Sequence, residues 1–72
     1  MDNKELTKIR TLLNYWIEHN REHSQEFKEW ADKITAAGEA EAGEDMKLAA
    51  QEMDKASEIL SRARRRLEGK ER

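Results

Sequence analysis

A chain of 72 residues, 42% charged and only 36% hydrophobic, makes one domain at most and has little apolar material for a core. Its net charge of -2 gives no overall pull toward nucleic acid or acidic lipid, and the lack of Cys excludes disulfides, thiolate catalysis and cysteine-ligated metal. The opening MDNKELTK has no apolar signal core and no run approaches a membrane span, so the cytoplasm is the expected compartment.

The first half reads as one long helix. Leu6, Ile9, Leu13, Trp16, Asn20, His23, Phe27, Trp30, Ile34 and Ala37 follow one another in alternating steps of three and four. That is the seam of a helix packed on a partner, here with Asn20 and His23 as polar residues at core positions. The phase predicts a helix from about Lys4 to about Ala37. The alternative is a break near Asn20, with that residue capping a further helix and the whole forming a three-helix bundle. A break would normally reset the seam, and none is visible.

Gly38 to Gly43 reads as a turn, with Gly38 suited to the left-handed position past a helix end and Gly43 loosening the start of the next. A second helix is expected from about Glu44 to about Gly69. Glu44 and Asp45 open it, and Arg62, Arg64, Arg65 and Arg66 close it, in accord with the helix dipole. Its seam is Met46, Ala49, Met53, Ala56, Leu60, Ala63 and Leu67. Folded back antiparallel, the register sets Trp30 by Ala49, His23 by Ala56 and Trp16 by Ala63, large against small. The expected fold is all-α: one domain over residues 1–72, an antiparallel two-helix hairpin with Leu13, Trp16, Asn20, Phe27, Trp30, Met53 and Leu60 in its core or interface.

Leu12, Ile17, Ala31, Leu48, Ala50 and Ile59 flank the two seams and widen the apolar stripe beyond what one partner helix covers. Two hairpins pairing into a dimeric four-helix bundle would cover it. Docking on a different protein is the alternative.

His19 and His23 stand one turn apart on one helix face, a spacing that suits two imidazoles on one divalent metal. Glu22 and Glu26, each three residues after a His, are candidate oxygen ligands or acceptors for the imidazole N–H groups. Such a set suits nickel, zinc, iron or copper. The alternative is structural: His23 and Asn20 set register and packing in an interaction module. His19 to His23 also spells H-x-x-E-H, a zinc-peptidase signature, but so short a hairpin offers no substrate cleft or third ligand, and no enzyme is expected. Ser24, Ser57 and Ser61 lack a base and its orienter. The arginines from Arg62 to Arg66, with Lys70, leave a nucleic-acid adaptor as a lesser alternative to a solvated helix end.

The run from Leu12 to Phe27, followed by Trp30-Ala31, resembles a family of small helical proteins from anaerobic bacteria and archaea. These share a His-Trp-Ile-Glu-His-Asn-x-x-His pattern, which matches here from Trp16 to His23. The resemblance implies a helical fold and a link to metal, and carries no activity. The family's first histidine would put three imidazoles on successive turns; Tyr15 holds that place in this chain.

Overall fold

The structure, a computed structural model, describes residues 1–69. It is a hairpin of two helices, α1 (Asn3–Ala36) and α2 (Ala40–Glu68), with no strand among the described residues. Neither helix is long and apolar enough to cross a membrane.

Helix α1 runs without interruption through His19, Asn20 and Arg21, which rules out the break near Asn20. No Gly or Pro lies within it to resist helix, and its start is capped. Asp2 keeps an extended backbone and its carboxylate accepts the Glu5 N–H at 2.8 Å, satisfying one of the free donors of the first turn. At the other end Gly38 adopts φ +96°, a region a side chain would resist. The Gly38 N–H donates to the Thr35 carbonyl and the Glu39 N–H to the Ile34 carbonyl, the paired bonds of a Schellman motif.

That motif reverses the chain in three residues, so α2 begins at Ala40, four residues before the expected Glu44. The acid of its first turn is therefore Glu41, while Arg65 and Arg66 do lie in its last. Lys70 lies outside the described residues.

The contact between the helices also differs from the expected seam. Leu13 is buried, and Asn20, Phe27, Met53 and Leu60 are half-buried, but Trp16 and Trp30 are 39% and 56% exposed. The buried positions sit one residue further along: Ile17, Ser24 and Ala31 on α1, and Gly43, Ala50 and Ser57 on α2. Large-on-small layers such as Trp30 by Ala49 are therefore not what joins the helices. Small residues every seventh position let the two backbones come close, and the bulky side chains are left on one flank. Gly43 shows how close the approach is: a Cβ built there would lie 2.0 Å from Thr35 Oγ1 and 3.0 Å from the Ala31 carbonyl oxygen.

Ser24 joins the helices by polar contact as well. Its hydroxyl lies 2.6 Å from Asp54 Oδ1 and 3.2 Å from the Ala50 carbonyl, while Lys28 reaches Asp54 Oδ2 at 3.1 Å. The single hydroxyl proton belongs mainly to the shorter, charge-assisted bond. Ser24 first, and Lys28 after it, hold the Asp54 carboxyl below the usual carboxylate range. Nearer the C-terminal end, Arg64 donates to Asn14 at 2.7 Å. The same close approach that excludes large side chains thus brings short polar ones into bonding range.

Candidate metal centre

Helical periodicity places Trp16, His23, Phe27, Trp30 and Ile34 on one flank of α1, beside the buried line. Met46, Met53 and Leu60 occupy the matching flank of α2. Together they form a half-open apolar face. The seam legible in the sequence is this face, and the two histidines sit at its middle.

Tyr15, His19, His23 and Phe27 follow one another at single turns and form a ladder of rings. The centroid separations are 5.4, 4.4 and 6.0 Å. Within it the two Nε2 atoms of His19 and His23 lie 2.9 Å apart, with the ring planes at 88°. A head-on N–H···N hydrogen bond of this length would hold the ring centres roughly 5 Å apart. At 4.4 Å the two rings are inclined to each other instead. Two nitrogens 2.9 Å apart, each bound at about 2.0–2.1 Å, subtend about 90° at a shared ion. That angle belongs to neighbouring positions of a square-planar or octahedral shell.

The two carboxylates expected as oxygen ligands or as acceptors for the imidazole N–H groups take different positions. Glu26 Oε2 lies 3.7 Å from Nδ1 of His23, the nitrogen on the far side of the ring from the His19 contact. A side chain three residues ahead on a helix comes near one ring nitrogen and leaves Nε2 on the side of His19. Glu26 thus stands near the Nδ1 side of His23, beyond hydrogen-bond range, and not at the Nε2 pair. Glu22 lines a shallow depression with Tyr15, Glu18 and His19. Among the described residues, no three His, Asp or Glu side chains gather closely enough to hold an ion. Among those residues the hairpin by itself brings two ring nitrogens together.

No solved structure matches this chain. A family model does. Residues 9–67 match the one described as Domain of unknown function (DUF8180). The chain belongs to this family. It is also similar to an uncharacterized protein of Archaeoglobus fulgidus, 36% identical over 58 residues that cover 81% of this chain and 92% of that one. In this DUF8180 chain the matched region takes in nearly all of both helices, the histidine pair and the Ser24–Asp54 contact.

Sequence reasoning found the histidines but missed the Ser24, Lys28 and Asp54 cluster. The available signal was the spacing of small residues, Ser24 to Ala31 and Gly43 to Ala50 to Ser57, each a step of seven. At the arginine end, Arg64 is bonded to Asn14, while Arg62 and Arg65 line a cleft with Asp54 and Glu58.

Proposed function

We propose that this chain is a small non-enzymatic helical protein that binds a divalent transition metal through Nε2 of His19 and His23. The observation that carries the reading is the 2.9 Å approach of those two nitrogens with their rings inclined to each other. Glu26 on the Nδ1 side of His23 supports it, because a nearby carboxylate favours a proton on that nitrogen and leaves Nε2 free to ligate. The resemblance to the His-Trp-Ile-Glu-His-Asn-x-x-His pattern supports it too. Tyr15 stacks on His19 where that pattern has a further imidazole, so the ring ladder is kept even where the ligand is not. A bite of about 90° suits nickel or copper, with zinc and iron as competitors.

The test is titration of tag-free protein with nickel, copper, zinc and iron(II), read by calorimetry and by the visible spectrum. Binding of at least one of these, lost when His19→Ala and His23→Ala are combined, is the expected result. Equal affinity in the double variant would end the reading.

A second reading has its own observation. The apolar face with exposed Trp16 and Trp30 fits an interaction module in which the histidines only hydrogen-bond to each other. Under that reading His19→Ala and His23→Ala change stability and leave metal response nil.

A further inference from the structure

Two imidazoles fill half of a four-coordinate shell, and among the described residues the hairpin gathers no further ligands around them. The face that carries them is also the one the hairpin leaves open. Among the described residues its large buried side chains are Leu6, Leu13 and Ile17, and a core this small favours further burial by association.

Part of the open face is matched in a symmetric way about its own middle. On α1, His19 and His23, Tyr15 and Phe27, and Leu12 and Trp30 stand equally far on either side of Arg21. On α2, Ala49 and Ala63 stand equally far from Ala56, and Met53 and Leu60 nearly so. These two centres lie side by side in the hairpin. Asn14 meets Arg64, Ser24 meets Ala50 and Asp54, and Arg21 shares a cleft with Asp54 and Ser57.

We infer that two copies pair through this face about a two-fold axis that runs across both helices at the level of Arg21 and Ala56, closing one four-imidazole metal site from two histidine pairs. The pairing rests on the reading of His19 and His23 as ligands. Rotation about such an axis lays α1 antiparallel on its own counterpart, so His19 of one copy meets His23 of the other. It likewise sets Ala56 against Ala56. An axis parallel to the helices would instead lay α1 on the other copy's α2 and carry the imidazole pairs to opposite sides.

A second copy is the occupant the symmetry selects, since an unrelated partner needs no matched halves. The size agrees: the hairpin's extents of 55 × 14 Å offer roughly 800 Å² per copy, the area of a standard stable interface.

The test uses the absence of native Cys. Ala56→Cys puts one thiol on the axis, so mild oxidation of metal-free protein is expected to give a covalent dimer of twice 8.5 kDa. Ile59→Cys, on the outer side of α2, is expected to stay monomeric on a non-reducing gel. Circular dichroism checks that both variants keep their helix content. In parallel, the native chain is expected to bind one nickel, copper or zinc ion per two chains, at the molar mass of a dimer. A dimer whose Ala56→Cys form does not cross-link, equal cross-linking through Ile59→Cys, or a chain that stays monomeric would overturn the pairing. One ion per single chain would overturn it and leave the metal reading intact. No ion bound would remove both.

Discussion

The Ser24 hydroxyl donates to the Asp54 carboxylate at 2.6 Å, from the middle of one helix to the middle of the other. Ser24 is buried, and the Ala50 carbonyl at 3.2 Å is the second acceptor its hydroxyl faces. Ser24→Ala is expected to destabilise the hairpin by about 1 kcal/mol, measured by urea unfolding at neutral pH.

The same contact gives a pH dependence with a definite sign. The folded-state pKa of Asp54 lies below its unfolded value, so its contribution is present above the unfolded value and fades as pH falls through the folded one. Stability is therefore expected to drop from about pH 4 downward. Ser24→Ala removes the largest cause of the depression and should flatten the part of that drop due to Asp54. A carboxyl-carbon titration by nuclear magnetic resonance checks it: the Asp54 midpoint should move up in the variant.

Gly43 separates packing from helix propensity. In an exposed helix, Gly→Ala stabilises by up to about 1 kcal/mol. Here the added carbon meets Thr35 Oγ1 and the Ala31 carbonyl, so Gly43→Ala is expected to destabilise by about 1–3 kcal/mol. Adding Thr35→Ala should restore part of the loss and not all, because the backbone oxygen at 3.0 Å stays. Thermal unfolding of the single and double variants decides it; a stabilised single variant would mean the helices sit further apart than described.

The two glutamates next to the histidines should behave differently. Glu26 faces Nδ1 of His23, and Glu26→Gln is expected to weaken metal binding by about tenfold. Glu22 makes no such contact, and Glu22→Gln is expected to leave affinity within about twofold, inside ordinary context scatter. Calorimetric titration of both variants with nickel or copper gives the comparison.

Trp30 reports on the open face. It is 56% exposed, with the Lys33 ammonium 4.6 Å from its ring centre. If the face is covered by a second copy, the melting temperature of the native chain rises with protein concentration. Trp30→Glu should abolish that dependence and lower the melting temperature. A native melting temperature constant over a hundredfold concentration range would argue for a self-sufficient hairpin.

Much was legible in the residue order. The three-four alternation from Leu6 to Ile34 and from Met46 to Leu67 marks two helices, and Gly38 marks the reversal between them, because apolar spacing and a left-handed backbone each leave a local trace. The spacing of His19 and His23 likewise announces a shared face, since it follows from helix geometry alone.

Which line of each helix touches the other was decided only by the fold. Apolar periodicity records which residues prefer to leave water, and it pointed to Trp16, Trp30 and the methionines. The helices instead meet along Ser24, Ala31, Gly43, Ala50 and Ser57, whose merit is small size rather than hydrophobicity. Close approach of two backbones is a steric property of the pair, so it appears only when both are in place. It then puts the aromatic and histidine flank on the outside, open to whatever covers it.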